Sequence, residues 1–507
     1  LHYYCELEKA KEYHQCALEI RKTQFGLNHV DVAASYNNLG NVYRDTGDLN
    51  KAKKYFQSAL EIQKDQLGTH HVDVSMSYNN LGAVYREMGD LEKAKKYHQS
   101  AMEIRKEQLG PDHVKLATSY NNLGTVYCHT GDIEKAKEYY QLALAIRKRQ
   151  LDPNDVDVAM SYSNLGTVYN ETGDMEKAKK YHQWALEIRK EKLGPNHVDV
   201  AMSYNSLGKV YRKTGDLEKG KKYYQQALEI QREQLGPNNV DVAMSYNNLG
   251  TVYSEAGDIE KAKENYILAL EIRKQLLGPN HVDVAESYNN LGTIYSDTGD
   301  LTKANFYHEW ALKIRKDQLG HNHVDVAVSY INLGNVYRET GNLQTARECY
   351  QQALEIQKEQ LGPNHVDVSM SYNNLGTVCR EKGELEKAKE YYQLALHIRK
   401  TKFGPNHVKV ATSYNNLGKV YSDIGKTETA KEHYEIALEV IKQELGPKHV
   451  YVADSYNNLG DVCCNTGDLE KAKEYYQWAL EIRKQQLGPG HIDVAASCNN
   501  LGTVYSN

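Results

Sequence analysis

DVAASYNNLGNVYRDTGDLNKAKKYFQSALEIQKDQLG, residues 31–68, carries two helical periods separated by one turn. In its first half Val32, Tyr36, Leu39, Gly40 and Tyr43 recur at three- and four-residue steps, which puts them on one helical face, and Asp31 is placed to cap the start. Thr46-Gly47-Asp48 then breaks the pattern, with Gly47 able to enter a left-handed turn and Asp48 able to cap a second helix. The second half, Leu49 to about Leu67, aligns Leu49, Ala52, Tyr55, Phe56, Ala59, Leu60 and Ile62. It stops at Gly68, the glycine that most units follow with Pro, as in Gly110-Pro111. The stretch predicts a helical hairpin, with helix A over 31–45 and helix B over 49–67.

The hairpin is copied along the chain. Ser-Tyr-Asn-Asn-Leu-Gly or a close variant begins at Ser35, Ser77, Ser119, Ser161, Ser203, Ser245, Ser287, Ser329, Ser371, Ser413, Ser455 and Ser497, always 42 residues apart. About twelve such units account for 504 of 507 residues, so 1–507 reads as a single array without linker or inserted domain. A repeat array is also how a chain this long escapes the size limit of one hydrophobic core. The composition agrees with one unit copied many times, with 40 Tyr against 4 Phe and 9 Pro. The expected fold is all-α, a solenoid of helical hairpins.

A period near 42 residues also suits armadillo or HEAT helices and propeller blades, and residue pattern separates them. No segment has the alternation that a blade's strands need. Tyr36, Leu39, Gly40, Tyr43, Ala52, Phe56 and Ala59 instead resemble the aromatic, Leu, Gly, Tyr, Ala, aromatic and Ala spacing of tetratricopeptide repeats. Gly40 and Ala52 are small where the two helices must approach, so Ala52→Leu should overpack by roughly 1–3 kcal/mol. The length of the unit and Leu-Gly-Pro-Asn-His-Val at 193–198 resemble the longer repeats of the kinesin light chain type. The resemblance implies a right-handed superhelix whose concave side, lined by helix A, binds peptides. Leu1 falls at the place of Tyr43 and Asn507 ends a helix A without its B, so both ends are expected to lie within a repeat of a longer protein.

Several function classes fit poorly. Lys+Arg at 62 against Asp+Glu at 67 leaves a net charge of −5, with no field to gather nucleic acid or an anionic membrane. No apolar run reaches the ~20 residues of a membrane span, and no signal peptide is evident. Eight Cys without CxxC spacing suit reduced thiols and a cytoplasmic location. Ten His recur in equivalent loops (His29, His71, His113, His197, His281, His323, His365, His407, His449 and His491) and should sit too far apart to share a metal, each making a loop hydrogen bond. His14, His98, His182 and His308 share a slot with Phe56 and Tyr140 and look like core or seam aromatics. No phosphate loop, zinc motif or nucleophile elbow appears, so no enzyme, cofactor or metal is expected.

What remains is the face of helix A opposite its core, with Ala34, Asn38, Asn41 and Asp45 in the sample unit. Down the array it carries a column of amides: Asn38, Asn80, Asn122, Asn164, Ser206, Asn248, Asn290, Asn332, Asn374, Asn416, Asn458 and Asn500. Amides that donate and accept can grip an extended peptide backbone, or they can stitch neighbouring helices together. Arg44, Arg86, Lys209, Arg212, Lys213, Arg338 and Arg380 would favour acidic peptides, unless each is paired to a nearby Glu. Met76, Met160, Met202, Met244 and Met370 add adaptable apolar contacts. Trp184, Trp310 and Trp478, at the slot of Ser58, are either anchors for a second partner or packing at the seam between units.

A protein or peptide partner held in the concave groove is the expected function, and an adaptor of the kinesin light chain type is its family version. The alternatives are the ligand-sensing repeats of a larger signalling or immune-type ATPase, and a structural spacer that self-associates. The partner's identity and the oligomeric state are not written in the sequence.

Overall fold

In a computed structural model, the backbone is described for residues 2–506 and the side chains for residues 7–506. Leu1, Asn507 and the side chain of Cys5 lie outside the described residues. The described residues form 24 α-helices and no strand. The chain makes two compact bodies, Leu1–Val336 and Tyr337–Asn507.

The first helices set the pattern: α1 spans His2–Phe25, α2 Val30–Asp45 and α3 Leu49–Leu67. α2 and α3 form the expected A–B hairpin. Asp48 caps α3 by accepting from the Lys51 N–H, and Gly47 takes φ +81° in the turn between the helices. The cap of α2 differs from expectation. His29, not Asp31, is the N-cap: its backbone is extended and its Nδ1 accepts the Asp31 N–H at 3.2 Å. The extended His29 is the half-in residue, so Asp31 already lies in the first turn, where its charge complements the helix dipole. All ten loop histidines make this bond, to the amide two residues on.

The hairpin closes on small residues. A Cβ on Gly40 would lie 2.6 Å from the Phe56 ring, and one on Gly82 would lie 2.7 Å from the His98 ring. Phe56, Leu39 and Ala52 are fully buried, each large apolar chain stabilising by roughly 1.5–3 kcal/mol. His98, His182 and His308 are buried in the aromatic slot, and burial pushes each imidazole down to about 4. Neutral rings pack there as Phe56 and Tyr140 do elsewhere, with His98 and His308 reaching Asn79 and Asn289 at 3.2 Å.

A second set of buried polar groups joins one hairpin to the next. Arg147 on helix B is 1% exposed and donates to the Ser161 hydroxyl of the following Ser-Tyr-Asn-Asn motif at 2.7 Å. Arg105, Arg189, Arg273 and Arg315 repeat the bond in the first body, and Arg399 and Arg483 in the second. Where the sequence has Gln instead, at Gln63, Gln231 and Gln357, the serine hydroxyl donates to the amide oxygen.

Within the first body, helices far apart in sequence also meet. His323 Nδ1 accepts the Asp325 N–H, and its Nε2–H donates to the Glu87 carbonyl at 3.2 Å, across 236 residues. The ring leaves no room at Gly89, where a Cβ would be 2.5 Å from Cδ2, and His281 occupies the same place against Gly47 at 2.8 Å. Leu319 packs on the cluster that contains Leu49, Ala52 and Phe56. A cleft of about 290 Å³ lies along this contact, lined by Arg44, Asp45, Glu87, His281 and Asp325 among others.

Candidate functional site: the outward face of helix A

In the first body, helix Val72–Glu87 touches Val114–His129, and Val198–Lys213 touches both Val156–Thr172 and Val240–Glu255. Direct contact between successive A helices makes theirs the tighter layer, so their outward face lies on the inside of the curve.

The amide column stands on that face and is largely a ladder. The second Asn of one motif donates from Nδ2 to the first Asn of the preceding motif: Asn122 to Asn79, Asn290 to Asn247, Asn332 to Asn289 and Asn416 to Asn373 at 2.6 Å. Asn500 reaches Asn457 at 2.7 Å and Asn80 reaches Asn37 at 3.5 Å, and Asn164 bonds Asn121. Each of these amides spends one N–H and keeps a second N–H and a carbonyl oxygen. Asn38, Asn248, Asn374 and Asn458 share the column outside the ladder. For Asn374 the acceptor's position in the sequence is Ile331, which carries no amide. Ser206 turns its hydroxyl to the Met202 carbonyl.

Beside the ladder Met76, Met202, Met244 and Val328 are exposed, Met202 at 51%. These thioethers belong to no core cluster and give the face adaptable apolar area.

The predicted basic residues are brought to this rim and paired. Lys209 and Lys213 both reach Glu171 at 3.4 Å, and Arg212 pairs with Glu255. Burial pushes the Glu171 carboxyl up, but Lys213 and Lys209 outweigh it and hold the group below its usual range. Arg338 meets Glu381 at 3.0 Å and Arg380 meets Asp423 at 2.6 Å, again one repeat along. Arg44 and Arg86 pair with their sequence neighbours Asp45 and Glu87.

The second body contains a cleft of about 560 Å³ on the same face, formed by helices Val408–Asp423, Thr427–Leu445 and Val450–Thr466 with Arg483 beneath. Lys409, Thr412, Asn415, Asn416 and Lys419 line one side; Tyr451, Asp454, Asn457 and Asn458 line the other. The ladder is interrupted here: the Asn415 carbonyl oxygen is buried without a hydrogen-bond partner. Arg483 is neutralised by Asp454 at 2.7 Å, while neither Lys409 nor Lys419 has a carboxylate at ion-pair distance among the described residues. Sequence reading passed over this pair although the signal was present, since Lys419 occupies the slot of Lys209 and Lys409 replaces the Asp found in most units.

Trp184 lies on the Tyr162 and Tyr181 rings with centroids 5.2 Å away, and Trp478 lies on Tyr456 and Tyr475 at 5.1 and 5.6 Å. Trp310 turns to Phe306 at 6.3 Å. Among the described residues no group of three or more His, Cys, Asp or Glu could hold a metal ion, and no helix is long and apolar enough to cross a membrane.

The tetratricopeptide repeat profile matches residues 5–65, 73–149, 157–233, 199–275, 241–317, 325–401, 383–443, 409–485 and 452–506. The chain belongs to the tetratricopeptide repeat family. Members of this family are protein-interaction scaffolds, and their architecture is non-enzymatic. No curated protein matches the chain. Among solved structures, it is similar to BtubC (BKLC) from P. vanneervenii at 29% identity, over 46% of this chain and 91% of that one, with a TM-score of 0.37. A putative kinesin light chain from Podosopora anserina with nearly identical TPR-like repeats shares 20% identity, over 40% of this chain and 97% of that one, with a TM-score of 0.35. A Rap protein complexed with Competence and Sporulation Factor shares 16% identity, over 73% of this chain and 98% of that one, with a TM-score of 0.49.

Proposed function

We propose that this tetratricopeptide protein holds an extended, acidic segment of a partner protein against the outward face of its A helices. The observation that carries this is the second-body cleft, which Lys409 and Lys419 line without a carboxylate at ion-pair distance among the described residues and where the amide ladder breaks at Asn415. A buried acceptor without a donor costs about 1–3 kcal/mol, so turning the Asn415 side chain into the cleft to meet a peptide N–H removes that cost while acidic side chains meet the two ammonium groups. Elsewhere the amides of Asn38, Asn80, Asn122, Asn164, Asn248, Asn290, Asn332 and Asn374 give sequence-independent grip. Arg44, Arg86, Lys209, Arg212, Lys213, Arg338 and Arg380 tune selectivity only by exchanging their present carboxylates for the ligand's. An adaptor in the cytoplasm, of the kinesin light chain kind, is the form of this role that the family resemblance implies.

Capture from a diverse peptide library tests the assignment. The parent should enrich acidic peptides, Lys409→Glu with Lys419→Glu should lose them, and Lys209→Glu with Arg212→Glu and Lys213→Glu should keep most. Equal enrichment by the parent and the Lys409/Lys419 variant would move the site elsewhere. No enrichment by any chain, with mass rising on concentration, would replace the groove by a self-associating spacer.

A further inference from the structure

A cleft of about 640 Å³ opens on another surface, between α1 and α3, where Tyr36 of α2 and Tyr55 of α3 form an aromatic floor with centroids 5.9 Å apart. Lys22, Lys51, Lys54 and Ser58 are part of its wall. Three repeats later in the sequence the same positions are Tyr162, Tyr181, Lys148, Lys177, Lys180 and, in place of Ser58, Trp184. There the indole rests on both tyrosines at 5.2 Å, with the Lys180 ammonium 4.9 Å from its ring centre. The floor keeps its spacing between the two sites, since Tyr162 and Tyr181 are 5.8 Å apart, while the angle between its rings opens from 42° at Tyr36 and Tyr55 to 60° under the indole. Trp478 repeats the arrangement on Tyr456 and Tyr475. The cleft at Ser58 is therefore the surroundings of Trp184 with the indole taken away.

We propose that this cleft is an aromatic-acceptor site which takes an indole side chain presented by a partner polypeptide. Its two tyrosines meet the ring tilted and edge-on, as Tyr162 and Tyr181 meet Trp184 at 48° and 73°, and Lys54 covers the ring as Lys180 covers Trp184, combining aromatic packing with a cation–π contact. Trp184 and the Tyr181 beneath it belong to one helix, Met175–Leu193, and the equivalent helix α3 carries Ser58 instead, so here the indole has to come from a second polypeptide. The site lies apart from the amide face of the A helices and goes beyond the peptide groove proposed above. The same residue types recur around Ser100, namely Lys64, Tyr78, Lys93, Lys96 and Tyr97, with the two tyrosines again 5.9 Å apart.

The chain supplies its own blocking substitution. Ser58→Trp with Ser100→Trp fills both slots with the residue that the fourth hairpin already accommodates, so the fold is retained, and an unchanged melting temperature checks this. The probe is the peptide acetyl-Gly-Gly-Trp-Gly-Gly-amide, with a Leu-centred peptide as control, its binding to the full chain monitored by saturation-transfer NMR. The Trp peptide should bind at least tenfold tighter than the Leu peptide, and the double variant should bind it at least tenfold more weakly than the parent. Equal binding of the two peptides, or undiminished binding to the double variant, would overturn the assignment.

Discussion

His71 and His323 occupy the same place in the same motif, cap the same kind of helix with the same Nδ1 bond, and meet different surroundings. The His71 side chain is 44% exposed, whereas that of His323 is 6% exposed because the turn at Glu87–Gly89 lies on it. His281, at 14%, sides with His323; His29 and His197, at 40% and 41%, side with His71. Burial pushes the His281 and His323 imidazoles below their ordinary range. A repeat can thus hold every local bond constant while its long-range contacts change along the array.

The largest expected effect must be separated out before the two histidines can be compared in acid. His98, His182 and His308 titrate at about 4 in the folded chain against 6.5 unfolded. The unfolded chain binds more protons between these values, so their stabilisation is complete above pH 6.5 and lost as pH falls through 4. The loss is on the order of 3 kcal/mol for each residue. Replacing all three by Tyr, as in the slots of Tyr140 and Tyr224, should flatten the acid dependence seen in thermal melts between pH 7 and 4.5. If the triple variant is as acid-labile as the parent, the slot histidines are not the cause.

Next in size is a pair of glycines that share a conformation and differ in neighbours. Gly89 and Gly215 both have φ +81°, and Ala at either costs roughly 1–2 kcal/mol of left-handed strain. Only at Gly89 does the new Cβ meet a ring, 2.5 Å from His323 Cδ2, while Gly215 faces open space. Denaturant unfolding should therefore show a larger loss for Gly89→Ala than for Gly215→Ala. Equal losses would mean that the contact at His323 contributes nothing.

The smallest effect isolates one hydrogen bond. Asn239 caps its helix where other units have His, so Asn preserves the cap while removing the imidazole. His71→Asn should change stability by less than about 0.5 kcal/mol, whereas His323→Asn should cost about 1 kcal/mol for the bond to Glu87. Amide exchange across residues 86–90 should rise about fivefold for His323→Asn alone. A similar rise in both variants would reduce the difference between the two regions to capping.

The hairpin was legible because its causes are local. Tyr36, Leu39, Gly40, Ala52 and Phe56 repeat at helical spacing, and Gly47 and Asp48 mark the turn, so helix B was placed at Leu49–Leu67 from sequence alone. The helix A cap was misplaced by two residues because His is a rare cap and Asp31 a common one, and only backbone geometry distinguishes the half-in residue. The amide column was legible with two possible roles, gripping a peptide or stitching neighbouring helices, but which amide bonds which was not. A donor on Asn122 and an acceptor on Asn79 are 43 residues apart, and their 2.6 Å contact depends on how one hairpin is rotated on the next. Glu171 and Glu255 likewise come to Lys213 and Arg212 only through that stacking.

The sequence by itself determined the unit: where each helix starts and stops, which side it buries, and that the unit is copied. Those choices depend on side-chain periodicity, turn chemistry and van der Waals size, all decided within about forty residues. Tertiary structure decided which of many identical groups are used. It covered His281 and His323 while leaving His71 exposed, interrupted the ladder at Asn415, and left open at Ser58 the slot that Trp184 fills. Small rotations between hairpins accumulate over many repeats, and their sum is not written in any one of them.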